Sequence, residues 1–272
     1  MHEIYQIFYN ERTQQANDPG FLPLDNLSNE RPDWSEYWPI RRFFTGRTLS
    51  PDTYYGFLSP KFHQKTGLSA QDVRAFLADC TDDAVLFSPF FDQSAFAINI
   101  FEQANISHRN IDAILSTAFS ELNPNIRLSS LVTHSKNTVF CNYFVAKPAF
   151  WKVWLGCCEK IFQLCEQGDS ALSRQLNTLV KHGSGMSPAK VFVIERVASF
   201  MLALDGGWRV KAYNPMRLPM AASSKVARFK DELCRLDALK IAFCESGYPE
   251  YIQAFNEIRA EVLELIEVSN ER

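Results

Sequence analysis

From Val191 to Leu204 the chain reads VFVIERVASFMLAL, a helix-length apolar run whose only charges are the adjacent Glu195 and Arg196. A helix that is apolar nearly all round belongs inside a core. At about 100° per residue, Glu195 falls on the same side as Val191, Ala198 and Leu202. A buried charge is costly unless it is paired or used. Glu195 is therefore either a structural partner or part of a site, and the same choice holds for Arg196.

The chain of 272 residues is 46% hydrophobic, enough to enclose such a helix in one large domain with a helical appendage. A net charge of −3 offers no basic field for nucleic acid, so a nucleic-acid partner is not expected. No uncharged apolar run reaches the roughly 18 residues of a membrane span. The opening MHEIYQIFYNER lacks the basic start and apolar centre of a signal peptide, which predicts a cytoplasmic chain. Seven cysteines, at 80, 141, 157, 158, 165, 234 and 244, form no CxxC pair and argue against a disulfide framework or a zinc ribbon. GxGxxG, P-loop, GxSxG, HExxH and EF-hand patterns are all absent.

Strands are expected at Glu3 to Tyr9, Tyr54 to Ser59, Ala84 to Ser88, Thr138 to Ala146 and Trp208 to Tyr213. The continuous apolar run AVLFS suits a strand buried on both faces of a parallel, helix-covered sheet. Ser69 with Asp72 reads as a capping box for a helix to about Ala78. Helical patterns follow from Ser94 to Ala104 and from Asn110 to Leu122. Pro148 opens a helix to Gln167, stopped by Gly168, and Ser187-Pro188 opens the Glu195 helix, closed by Gly206-Gly207. The fold class expected is α/β, a mostly parallel sheet flanked by helices over residues 1–222. Residues 223–272 read as a helical hairpin broken at Gly247-Tyr248-Pro249, packed on the main domain or on a second copy as a homodimer.

Polar groups recur where strands end. Tyr9, Asn10 and Glu11 follow the first strand, Ser59 and Lys61 the next, Asp92 follows Ser88-Pro89, and Asn142 interrupts TVFCNYFVA. In an α/β sheet such positions converge on one rim, where ligands bind. Each also has an ordinary reading: Asn10 and Asp92 as turn or cap residues, Lys61 as solvated, Asn142 as a partner for buried backbone. Asp82-Asp83 precedes its strand and belongs at the other end of the sheet, as a solvated turn.

Taken in order, Ser35-Glu36-Tyr37-Trp38-Pro39-Ile40, Tyr54-Tyr55-Gly56-Phe57-Leu58-Ser59-Pro60-Lys61-Phe62, Cys141-Asn142-Tyr143-Phe144-Val145-Ala146 with Phe150-Trp151, and Ile194-Glu195-Arg196-Val197 resemble a family of bacterial glycosyltransferases. That family is of the exopolysaccharide and lipopolysaccharide type, with the GT-A nucleotide-sugar fold. The order and spacing match over about residues 3 to 215. The resemblance implies transfer of a sugar from a nucleotide-diphosphate donor to a hydroxyl of a surface glycan. It implies that Tyr9, Asn10 and Glu11 hold the nucleotide, that Trp34 or Trp38 stacks on base or sugar, and that Asp92 and Asn142 bind substrate. Glu195 becomes a general base or acceptor anchor, and Arg196 orients an oxygen. The family's His-Tyr-Arg-Arg segment is Ser59-Pro60-Lys61-Phe62 here, and no DxD follows a strand. Mn2+ or Mg2+ is thus left open, with Lys61 and Arg41 or Arg42 as cations able to neutralise the leaving diphosphate instead. A non-catalytic glycan-binding or scaffold protein on the same fold is the alternative. Lipid-linked acceptors would add peripheral contact with the inner membrane, through Lys225, Arg228, Lys230, Arg235 and Lys240, although their interleaving with Asp231, Glu232 and Asp237 reads better as an ordinary solvated face.

Overall fold

The computed structural model describes residues 1–108, 111–183 and 185–270, the last of these by its backbone. The strands are β1 (His2–Phe8), β2 (Leu22–Asp25), β3 (Tyr54–Leu58), β4 (Ala84–Leu86), β5 (Phe144–Ala146), a separate hairpin of β6 (Leu179–His182) and β7 (Gly185–Pro188), and β8 (Val210–Ala212). Between and after them lie α1 (Glu11–Gln15), α2 (Tyr37–Thr45), α3 (Phe62–Thr66), α4 (Ala70–Leu77), α5 (Phe91–Phe96), α6 (Ile100–Ser107), α7 (Asp112–Leu122), α8 (Pro148–Glu166), α9 (Ala171–Asn177), α10 (Ala189–Ile194), α11 (Val197–Leu204), α12 (Lys230–Ser246) and α13 (Glu250–Asn270).

The main sheet has the order β2-β1-β3-β5-β4-β8. All its strands run one way except β5, which is antiparallel to both β3 and β4. The α/β class and the mostly parallel sheet are as the sequence leads one to expect. The period of two along each strand sends alternate residues into two cores. Tyr5, Ile7, Tyr55, Phe57, Leu86, Phe144 and Ala146 enter a large aromatic core under α2, α8, α10 and α11. Ile4, Tyr54, Leu58, Val85, Phe87, Tyr143 and Val145 enter a smaller one under α3 and α4. Trp151 anchors α8 to the sheet, its buried indole N–H donating to the Tyr55 carbonyl at 2.9 Å. Gly56 lies where β1, β3 and β5 crowd together: a Cβ there would meet Val145 Cγ2 at 2.7 Å.

Several helix ends are set by their own residues. The Ser69–Asp72 capping box opens α4, and Pro148 begins α8 at its first position. Elsewhere the boundaries differ from the sequence reading. The run from Ser94 to Ala104 divides into α5 and α6, because the Asn99 side chain accepts from both Phe101 N and Glu102 N at 2.9 Å and starts a new helix. Asn110, the proposed start of the following helix, lies outside the described residues, and α7 begins at Asp112. The strand expected from Thr138 shrinks to Phe144–Ala146, since Cys141 and Asn142 are both left-handed, at φ 59° and 54°.

The Glu195 helix is not continuous either. Arg196 N bonds to Val193 O instead of reaching Phe192 O, because the Phe192 carbonyl accepts Arg196 Nη1 at 2.8 Å. The side chain thus takes the place of a ladder bond, and the run divides into α10 and α11 with Glu195 and Arg196 at the break. Beyond the sheet, α12 packs on α5 and α13 on α12, with the left-handed Gly247 (φ 75°) ending α12. Among the described residues no helix is long and apolar enough to cross a membrane.

Candidate functional site

Strands β1, β2, β3, β4 and β8 end on one rim, and β5, running the other way, begins there. Sequence order leaves β1 for β2 on one side and for β3 on the other, so the switch point of the sheet lies at the carboxyl ends of β1 and β3. Just beyond the ends of β1 and β2 is a cavity of about 220 Å³, lined by Ile7, Tyr9, Asn26, Asn29, Ser35 and Glu36, with Pro32. Its wall is strained and incompletely bonded. Asn29 and Ser35 hold positive φ of 40° and 47°, and the buried Asn26 carboxamide oxygen has no hydrogen-bond partner.

Glu36 belongs both to this cavity and to a group of charges behind it. Its carboxyl is raised above the ordinary glutamate range by burial, and then by Glu195, while Lys65 and Lys61 act in the other direction. Lys65, on α3, answers both carboxylates. Burial alone would lower its ammonium, but Cys141, Glu195 and Glu36 outweigh burial and hold it raised. Lys65 Nζ donates to Cys141 Sγ at 3.0 Å and lies 5.9 Å from the Tyr143 ring centroid. The Cys141 thiol, pushed up to about 11 by burial, stays protonated at neutral pH. Tyr143 OH and Ser59 Oγ share a hydrogen bond of 2.6 Å, and burial keeps the phenol far above its usual range.

The left-handed pair Cys141-Asn142 is what delivers these groups. Tyr143 N closes the turn onto Phe140 O at 3.1 Å, a two-residue reversal with positive φ at both central positions. The Asn142 side-chain oxygen is buried without a partner. Two orphaned carboxamide oxygens, Asn26 and Asn142, thus stand on the same rim as two carboxylates and two lysines.

The sequence-derived residues divide accordingly. Tyr9, Ser59, Lys61, Asn142 and Glu195 come together on the rim. Glu195, at the helix break and about one-third exposed, is accessible there rather than enclosed in an apolar helix. Asp92 is fully buried at the start of α5, with Oδ1 accepting from Ala221 N at 3.1 Å and Oδ2 unpartnered. Asn10 is spent on a capping box with Thr13, and Glu11 is an exposed residue of the first turn of α1.

Four expectations are corrected. Arg196 is buried and donates to Phe192 O, Ile100 O and Gln103 Oε1, a stitch between α6 and α10, and its Nη1 lies 3.9 Å from Glu195 Oε2. Arg41 pairs with Glu159 of α8 at 2.7 Å and covers the Phe162 ring at 4.3 Å. Arg42 is exposed and donates to Asp25 O. Trp38 stacks on Phe162 and Trp34 donates to Glu166 at 3.2 Å, so neither ring is free to stack on a base. The Arg41–Glu159 and Trp38–Phe162 contacts join α2 to α8.

Glu36, Lys65 and Cys141 are the rim residues that strand-end reasoning missed. Glu36 is the residue just before α2 and Lys65 lies in α3, and their partners are distant in sequence. A glutamate inside the aromatic stretch Trp34-Ser35-Glu36-Tyr37-Trp38 was the available signal. Among the described residues no group of three or more His, Cys, Asp and Glu side chains could hold a metal ion. The donor chemistry of the rim does not fit a resident Mn2+ or Mg2+, because its two carboxylates lack a third His, Cys, Asp or Glu beside them among the described residues and a lysine ammonium acts on both. No family model, no curated protein and no solved structure matches this chain.

Proposed function

We propose that the chain is a glycosyltransferase of GT-A type, moving a sugar from a nucleotide-diphosphate sugar to a hydroxyl of a bacterial surface glycan. One observation carries the reading: a cavity at the carboxyl ends of β1 and β2 whose wall residue Glu36 also faces Glu195 and Lys65. The nucleotide would occupy the cavity beside Tyr9 and Asn26. Its diphosphate would lie toward Lys65 and Lys61, since Arg41 is held by Glu159 and Arg42 by the Asp25 carbonyl.

In the reaction the acceptor hydroxyl oxygen forms a bond to the anomeric carbon, and the bond from that carbon to the diphosphate oxygen breaks. The electron pair leaves with the nucleoside diphosphate, where cationic side chains stabilise the developing charge. The hydroxyl proton passes to Glu195, the accessible carboxylate of the pair. Asn142 and Ser59 would orient sugar hydroxyls.

The test is release of nucleoside diphosphate by the full chain and by Glu195→Gln. Loss of turnover in a variant that keeps its melting temperature supports the reading, and retained turnover removes Glu195 from the chemistry. Binding of the nucleotide sugar with no transfer by the unaltered chain would favour the glycan-binding alternative. Membrane contact through the five basic residues is weakened by Lys240, which is buried, and by Arg235, which pairs with Glu232 at 3.3 Å. A homodimer would use the outer side of α13, where Leu263, Leu265 and Val268 are exposed.

A further inference from the structure

On the other side of the molecule, a cavity of about 580 Å³ lies between the start of β8, the end of α11, the loop before β5 and the end of α12. Its polar and aromatic lining comes from His134, Lys136, Asn137, Asp205, Trp208 and Phe243. Val210 pairs with Ala84 at the amino end of the sheet, so this cavity is separate from the rim that carries Glu36 and Glu195. Its size is that of a small-molecule site.

The hydrogen-bonding groups of this lining are left in a definite state. His134 accepts from Lys136 N at its Nδ1, 3.2 Å away, and burial lowers the ring to about 4, so it is neutral with Nε2–H as a donor. Asn137 Oδ1 accepts from His134 N at 2.7 Å, which leaves its amide N–H groups available. Asp205 Oδ1 accepts from Gly207 N at 2.8 Å, leaving Oδ2 as an acceptor. Lys136 and Asp205 face the same cavity and form no ion pair with each other among the described residues. Phe150 packs edge-to-face with Trp208 at 5.1 Å and fixes the ring, which is partly buried.

A fixed aromatic face beside a neutral imidazole donor, an amide donor, a carboxylate acceptor and one ammonium suits a ligand that is uncharged, hydroxyl-rich and flat on one side. The carboxylate disfavours phosphate, and the ammonium disfavours a bare cation. We propose that this cavity is a second carbohydrate-binding site, which takes a neutral hexose unit of a glycan with the sugar face on Trp208 and its hydroxyls on Asp205, Asn137 and Lys136. The site is independent of the transfer reaction and would retain a glycan whether or not the rim is catalytic.

The experiment uses the full chain labelled with 15N-tryptophan, titrated with neutral glucan and galactan oligosaccharides of about six units, with uridine diphosphate as the ligand for the rim. The Trp208 indole signal is assigned by Trp208→Phe. Binding at this site predicts a saturable shift of that signal with at least one oligosaccharide. Affinity should fall at least tenfold in both Asp205→Ala and Lys136→Ala and stay unchanged in Glu195→Gln. Lys136 is exposed, so its variant tests the site even if Asp205→Ala disturbs the Gly207 turn. The proposal is overturned if no neutral oligosaccharide moves the Trp208 signal, or if the shift keeps its affinity in Lys136→Ala. Uridine diphosphate binding in the same variants reports on the rim alone, so failure here and failure of the transferase reading are told apart.

Discussion

Glu36 and Glu195 both face the ammonium of Lys65, and their two environments differ: one lies in the cavity wall, the other at an exposed helix break. Because the folded state raises Glu36 above its unfolded value, its ionised form is disfavoured by folding, and stability is lost as pH rises through the raised value. Glu36→Gln removes that cost. We therefore predict a variant with a higher melting temperature at pH 7 than the unaltered chain and lower turnover, read by calorimetry and by nucleoside diphosphate release. For Glu195→Gln the expected loss of turnover is about 10²- to 10⁴-fold, the range for a general base, with stability within about 0.5 kcal/mol. Asn142 belongs to a different class of test. At φ 54° a β-branched side chain is disfavoured, so Asn142→Val should cost about 1–2 kcal/mol in denaturant unfolding, with Asn142→Gly close to neutral. At this scale the sequence made the isolated charge Glu195 legible, since a carboxylate in an apolar run needs a reason. Lys65 carries no such mark. It is one cation in the short helix α3, and its hydrogen-bond partner Cys141 reaches it only through the chain reversal at Cys141-Asn142.

Elements were legible where the chain ends them with its own side chains, as at Ser69 and Pro148. They were not where a distant group intervenes, as when Arg196 breaks its helix by returning to Phe192 O. The C-terminal hairpin shows how one side chain fixes an element. Lys240 of α12 is fully buried and donates to the carbonyls of Ser94 and Ala97 at the end of α5, the latter at 2.7 Å, while Asp237 accepts from Ser135 N at 2.8 Å. Two orphan carbonyls of a short helix are thereby satisfied. Lys240→Met should leave them unpaired and cost about 1–3 kcal/mol, measured by denaturant unfolding. Burial lowers Lys240 to about 8, with Asp237, Cys244 and Glu102 acting against burial and Arg259 with it. The unfolded chain, near 10.4, holds that proton more tightly. Stability should therefore rise between about pH 8 and pH 10, and Lys240→Met should flatten that rise.

Across the whole molecule, the buried residues of β1, β3, β4 and β5 divide between two cores and make the centre of the sheet covered on both faces, and the apolar run at Ala84 announces it. The reversal of β5 was not legible. A three-residue strand buried on both faces has no local signature of direction, and its sense follows from the chain entering through the turn at Cys141. That reversal also places Tyr143 and Asn142 on the rim with the carboxyl ends of the other strands, so topology assembles the site from segments as far apart as Tyr9 and Glu195. The central claim is that this rim binds a nucleotide-diphosphate sugar without a resident metal. The most direct measurement is thermal unfolding of the full chain against uridine, guanosine and cytidine diphosphate sugars, with and without manganese. A ligand at a hundred times its Kd adds about 2.7 kcal/mol of stability. We predict a shift with one nucleotide class, equal with and without manganese and much reduced in Lys65→Met. No shift with any of them, or a shift that requires manganese, would contradict it.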